Sequence, residues 1–170
     1  MLFNKDQTLV ENLASKIKLL VLDVDGVLTD GKLYFSNAGE ELKTFHTLDG
    51  HGIKMLQAAG IEVGIITGRN SKIVEHRAQN LGIELLLQGR EDKLQALSEI
   101  LVDQNLDLED VAYAGDDLPD LGAIEKAGIG FSVPNAHEDV KQGADAITSY
   151  QGGNGAVREI TDFILKNQSS

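Results

Sequence analysis

The sequence predicts an α/β protein: a Rossmann-like parallel sheet with helices on both faces, a β-hairpin inserted after the first strand, and no cap domain. Three observations carry this. Short apolar runs of buried-strand length recur along the chain, helix-spaced segments alternate with them, and glycines follow three of those segments at Gly60, Gly82 and Gly128. Repeated β-α alternation implies a parallel sheet covered on both sides.

Taken in order, KLLVLDV (18–24) is the first strand. KLYFSNAGEELKTFH follows, with an Asn37-Ala38-Gly39 turn between strand-like runs, and reads as a hairpin over Leu33–Phe45. The strands EVGIITG, IELLLQG, DVAYAGD and GIGFSV come next. Among them lie apolar residues at helical spacing in Asp49–Ala59, Ser71–Leu81, Glu91–Asn105 and Asp117–Lys126. The GGNG at 152–155 suits either a flexible hinge or a helix start, and the last few residues read as frayed. With no linker, repeat or low-complexity block, residues 1–170 read as one domain, long enough to bury a real core.

A formal net charge of -12 and a pI near 4.6 argue against nucleic acid and anionic membranes as partners, though not against a small anionic substrate. The absence of cysteine excludes disulfides, thiolate metal sites and cysteine nucleophiles. The N-terminal segment MLFNKDQTLVENLASKIK is amphipathic and lacks the apolar core of a signal peptide, so a cytoplasmic location is expected.

In open α/β sheets ligands bind beyond the carboxyl ends of the strands. Asp23 and Asp25 follow the first strand; Thr67, Gly68 and Arg69 the second; Gln88 to Arg90, with Lys93 beyond, the third; and Asp116, Asp117 and Asp120 the fourth. Two like charges about 4 Å apart repel by roughly 4 kcal/mol at an effective dielectric near 20. Clustered carboxylates therefore call for a hard, oxygen-seeking dication, and Mg2+ is the obvious one. Beside it a carboxylate can attack phosphorus, and a second, two residues on, can protonate a leaving oxygen and then activate water. Thr67, the Gly68 amide and Lys93 suit the phosphoryl oxygens.

DVDGVLT, ITGR, a following lysine and GDDLPD, in that order, resemble the haloacid dehalogenase superfamily of phosphatases. The resemblance implies Asp23 as nucleophile, Asp25 as general acid/base, and Thr67 and Lys93 as phosphate binders. It also implies Mg2+ held by the side chains of Asp23 and Asp116 and the carbonyl of Asp25, with Asp117 in support, steadying the metal or Lys93. LDVDGVLTDG, NAGEELKTFH, DGHGIKML and GGNGAVREI extend the likeness over nearly the whole chain, to the 3-deoxy-D-manno-octulosonate 8-phosphate phosphatase family of lipopolysaccharide synthesis. That family implies a capless homotetramer in which a neighbour's hairpin and C-terminal tail help shape the site. By position it places substrate contacts on Asp25, His46, Thr47, Leu48, Asp49, Gly50, Lys54, Thr67, Gly68, Arg69, Arg77 and Lys93. Leu48 departs from the pattern, standing where members often carry an arginine that could meet the sugar acid.

Plainer readings exist for single residues. Asp-Gly at 25–26 suits a turn, Thr67 a helix cap, Lys93, Arg69 and Arg77 solvated helix faces, and Asp120 a surface or turn-supporting position. His51, His76 and His137 have no ligand-like spacing. Two other functions share these residues: a phosphatase of a nine-carbon keto-sugar acid phosphate or another sugar phosphate, and a phospho-receiver signalling module. The receiver would need an aspartate at the end of IELLLQG, where Gln88 and Gly89 stand.

Overall fold

The computed structural model describes residues 1–39 and 41–168. Glu40, inside the predicted hairpin, and Ser169 and Ser170, in the predicted frayed end, lie outside the described residues. The elements run β1 (Leu2–Phe3), α1 (Gln7–Ala14), β2 (Leu19–Leu22), β3 (Tyr34–Phe35), β4 (Glu41–Leu42), α2 (Thr47–Ala58), β5 (Glu62–Ile66), α3 (Lys72–Leu81), β6 (Leu85–Leu87), α4 (Lys93–Gln104), β7 (Val111–Ala114), α5 (Leu118–Lys126), β8 (Ile129–Ser132), α6 (Glu138–Gly143), β9 (Ala146–Ile147) and α7 (Ala156–Asn167).

The main sheet has the order β1-β9-β8-β7-β2-β5-β6. All its pairings are parallel except β1 against β9. The five predicted strands thus form the parallel centre, and β2 lies in the middle between β5 and β7. β1 and β9, two residues each, were too short to show a period in the sequence. The hairpin forms as expected: β3 and β4 pair antiparallel as a separate ribbon, Tyr34 opposite Leu42.

Alternation along the strands sorts the core into two faces. Leu20 and Leu22 of β2 join Val63, Ile65, Ala112, Ala114, Ile129 and Phe131 beneath α1, α2, α3 and α7. Leu19 and Val21 join Ile66, Val111 and Tyr113 beneath α4, α5 and α6. Every residue of β2 is fully buried, at about 1.5–3 kcal/mol for each large apolar side chain. That burial holds the following loop, and the aspartates on it, in place.

Gly60 (φ +83°) and Gly82 (φ +71°) end their helices in the left-handed conformation expected of them. Gly128 does not; it is a glycine because a Cβ would stand 2.5 Å from the Glu109 carbonyl oxygen. The GGNG segment is a helix start, with Gly155 as the N-cap of α7. It packs on its own chain: Gly153 N–H donates to the Val27 carbonyl at 3.0 Å, and Gly152 N–H to Asn135 at 2.9 Å.

Candidate active site

The carboxyl ends of β2, β5, β6 and β7 open into a cavity of about 380 Å3 lined by Asp23, Asp25, Thr67, Gly68, Arg69, Lys93, Asp116, Asp117 and Asp120, among others. Asp23 continues the β2 ladder, its N–H donating to the Ala114 carbonyl at 3.0 Å. The chain then loops back through Val24–Leu28, and Thr29 N–H closes on the Val24 carbonyl at 3.0 Å. Gly26 makes this loop possible. Its φ is +102°, and a Cβ there would stand 1.9 Å from Asp116 Oδ2, so only glycine admits the fourth strand's carboxylate.

Lys93, the first residue of α4, is 4% exposed and spends all three ammonium donors. They go to Asp23 Oδ1 at 2.7 Å, Asp120 Oδ1 at 3.1 Å and the Ile66 carbonyl at 3.0 Å. Burial alone would lower its pKa, but the two carboxylates more than offset this and raise it. Lys93 is therefore a fixed cation. Of the two positions the sequence allows Asp120, surface or turn support, the structure gives the second, as N3 of the α5 capping box. Asp120 is 2% exposed and accepts from Lys93, from the Tyr113 hydroxyl at 2.8 Å, and from the N–H groups of Asp116 and Asp117 at 3.2 and 3.3 Å. Its carboxylate fixes the lysine on one side and the acidic loop on the other. Asp117 is exposed and caps α5, its Oδ1 accepting from Leu118 N–H at 2.8 Å, so the contact to Lys93 falls to Asp120 instead.

The electrostatics are those of anions short of a cation. Burial, and then the Asp120 charge, push Asp23 up to about 7 despite Lys93. Burial, with Asp23 and Asp120 next, pushes Asp116 up to about 8. Carboxylate oxygens of Asp23, Asp116 and Asp120 lie within 4.8 Å of one another. The four hydrogen bonds on Asp120 occupy both its oxygens, which leaves Asp23 and Asp116 as the free donors. An all-oxygen donor set with unrelieved negative charge fits Mg2+.

Asp25 sits beside Asp23 at the mouth, half-buried. It is ion-paired with Lys43, and Arg69 Nε stands 4.0 Å away. Thr67 is 2% exposed; Ser71, not Thr67, is the N-cap of α3, which removes the capping role as an explanation. Gln88 accepts from Ser71 N–H at 2.8 Å and donates to Glu75 at 3.0 Å, a structural post where a receiver would present its aspartate.

The remaining sequence-predicted residues do not line this cavity. His46 caps α2, its Nδ1 accepting from Leu48 N–H, and Leu48 is 52% exposed. Both face a separate hollow of about 570 Å3 with Tyr150, Asn154 and Arg158. Asp49 is buried and receives N–H bonds from Arg158 at 2.8 Å and Gly155 at 3.4 Å, tying α2 to α7. Arg77 lies over the Phe45 ring at 5.3 Å and donates to the His46 carbonyl at 3.4 Å. A Cβ on Gly50 would stand 2.5 Å from its guanidinium. Thr47 and Lys54 are exposed. One residue escaped the sequence reading, Lys43, because a hairpin's alternation does not say which face turns inward; Asp120 stands at the strand end expected of it, but its bond to Lys93 was not foreseen.

Residues 86–160 match the haloacid dehalogenase-like hydrolase family model. Over 155 residues the chain is 49% identical to the 3-deoxy-D-manno-octulosonate 8-phosphate phosphatase of Escherichia coli K12, covering 91% of this chain and 82% of that protein. It is similar to the crystal structure of that phosphatase from Moraxella catarrhalis, in complex with magnesium, phosphate and KDO. That match has a TM-score of 0.95 and 45% identity, over 96% of this chain and 94% of the other. The cobalt-bound enzyme of Haemophilus influenzae matches with a TM-score of 0.89 and 42% identity, over 92% and 91%.

Proposed function

This chain belongs to the 3-deoxy-D-manno-octulosonate 8-phosphate phosphatases, within the haloacid dehalogenase-like hydrolases, and from that premise we propose that it hydrolyses this phosphorylated sugar acid to the free acid and inorganic phosphate in lipopolysaccharide synthesis. The convergence of Asp23, Lys93 and Asp116 in one cavity supports the reading most directly.

Asp23 is the nucleophile. β2 aims it at the cavity, and Lys93, 2.7 Å from Oδ1, leaves its other oxygen to attack phosphorus. As the Asp23–phosphorus bond forms, the bond to the sugar oxygen breaks and Asp25 delivers a proton to that oxygen. Asp25 then takes a proton from the water that hydrolyses the aspartyl-phosphate. Thr67 and the Gly68 amide hold the phosphoryl oxygens, and Lys93, kept in place by Asp120, meets them by sharing the donor that otherwise goes to Asp23. Asp23 and Asp116, with the Asp25 carbonyl, would hold Mg2+, which supplies positive charge to the carboxylates and to the phosphoryl group. Asp117 caps α5 at the cavity's edge, and its charge adds to the negative field at Asp116. Since the order of motifs and the role of Gln88 leave a receiver no phosphorylation site, the enzyme reading stands alone.

The cavity is open, and Leu33, Tyr34, Phe35 and Leu42 of the hairpin are 46%, 39%, 57% and 63% exposed. An apolar ribbon of this kind suits pairing with another copy. We therefore read the working enzyme as a homo-oligomer, a tetramer on the family pattern, in which a neighbour's hairpin and C-terminal tail help shape the site, with His46, Thr47, Leu48 and Lys54 on the surface of α2 and with Asp49, Gly50 and Arg77 supporting that surface from within. Light scattering checks this: a monomeric mass at working concentration would refute it. Among the described residues no helix is long and apolar enough to cross a membrane, and cytoplasmic action fits the expected substrate.

The direct test is phosphate release from the octulosonate phosphate beside a nine-carbon homologue and other sugar phosphates, with Mg2+ and with chelator. A preference for the octulosonate, lost with chelator or in Asp23→Asn, is expected. A preference for the nine-carbon acid would keep the mechanism and move the specificity to Leu48. No Mg2+-dependent release from any ester would refute the enzyme.

A further inference from the structure

The hairpin carries its apolar residues outward and a charged pair, Glu41 and Lys43, inward. Leu42 is 63% exposed, while the side chain of the next residue, Lys43, is 1% exposed. Lys43 directly follows β4 and continues its alternation, so it shares the inward side with Glu41 while Leu42 between them points out. A buried ammonium is tolerated only where carboxylates meet it. Lys43 has two: Asp25 Oδ1, in direct contact, and Glu41 at 3.0 Å. Glu41 is anchored in turn by the Ser71 hydroxyl, 3.0 Å from its Oε2, at the start of α3. The arm is thus tied to the sheet through the side chain proposed as acid and base.

Asp25 has few other holds. It follows Asp23 on a loop that turns at Gly26, and Arg69, its second cation, is 4.0 Å away with a side chain 45% exposed. Lys43 is the group that sets the direction of its carboxylate. Resting on the phosphatase reading above, we propose that Lys43 is a positioning residue for Asp25: the hairpin lysine orients the carboxylate that protonates the leaving oxygen, so that the placement of the hairpin sets the placement of the acid.

This separates cleanly from a merely structural role. Formation of the aspartyl-phosphate breaks the phosphorus–oxygen bond of the ester. A sugar alkoxide leaves only with a proton from Asp25, whereas p-nitrophenolate leaves as the anion and needs none. For both esters kcat/KM reports the steps through that bond cleavage. Misplacing the acid costs roughly 10- to 100-fold on the sugar phosphate.

The experiment measures kcat/KM of wild type, Lys43→Met, Lys43→Arg and Asp25→Asn on the sugar phosphate and on p-nitrophenyl phosphate, after circular dichroism and mass have shown the wild-type fold and assembly. Lys43→Met is expected to lose roughly 10- to 100-fold on the sugar phosphate and at least fivefold less on the aryl ester. Asp25→Asn should show the same bias, and Lys43→Arg should recover part of the loss by restoring the charge. Equal losses in Lys43→Met on both esters, or a loss on neither, would overturn the positioning role. If Asp25→Asn itself lacked the bias, the acid assignment would fail, and the role of Lys43 with it. Where Lys43→Met does not assemble, Lys43→Gln serves in its place under the same criteria.

Discussion

Replacing Asp120 by asparagine removes one charge and changes almost no volume, yet it should be among the more damaging substitutions in this protein. One oxygen of Asp120 accepts from Lys93 and Tyr113, the other from the N–H groups of Asp116 and Asp117. All four partners donate, and an amide has only one oxygen. With that oxygen toward Lys93, the amide NH2 meets two backbone N–H groups at 3.2 and 3.3 Å; turned round, it meets an ammonium. Each buried donor left unpaired costs about 1–3 kcal/mol. Relief of the repulsion that Asp120 exerts on Asp23 and Asp116 offsets part of this. A net loss of about 2–4 kcal/mol follows. At about 2–4 °C per kcal/mol for a chain of this size, Tm should fall by about 5–15 °C. The assay is thermal unfolding followed by circular dichroism in chelator, beside Tyr113→Phe, which removes one hydrogen bond and should cost about 1 kcal/mol. A fall below about 2 °C for Asp120→Asn, or a larger one for Tyr113→Phe, would refute this account of the site's scaffold.

Asp23 and Asp116 have folded-state pKa values raised to about 7 and about 8, above those of the unfolded chain, so the metal-free fold holds extra protons between about pH 4 and 8. Its stability should therefore fall as pH rises through that window. Mg2+ binds the deprotonated pair, so its stabilisation should grow over the same range; a Tm increment independent of pH would contradict the assignment. Gly26→Ala strains a backbone at φ +102° and drives a methyl into Asp116, so it should weaken Mg2+ binding, read as a rightward shift of the metal titration of activity, with an unshifted curve counting against the close approach. Asp23→Asn should abolish turnover while the far-ultraviolet spectrum stays wild-type; substantial residual activity would remove the covalent mechanism.

The sheet was legible because its inner strands, β2, β5, β7 and β8, are buried on both faces. Runs such as LLVL have one environment available, and the helices between them repeat their apolar residues at one spacing. The residues of the cavity were legible for a related reason: a parallel sheet places every strand's carboxyl end on one edge, so listing those ends lists the site. Leu2–Phe3 and Ala146–Ile147 were not legible, since two residues carry no period and their pairing joins segments more than 140 positions apart.

By itself, then, the sequence determined the α/β class, the order of the motifs along the chain and which residues stand at the strand ends, because these depend on local periodicity and on the direction of the chain. The tertiary structure alone decided that Asp120 rather than Asp117 fixes Lys93, that Asp49 ties α2 to α7, and that Lys43 reaches Asp25. Those contacts join residues on separate elements, and which of several nearby carboxylates a lysine meets depends on rotation about a helix or the face of a ribbon, which composition and spacing leave undetermined.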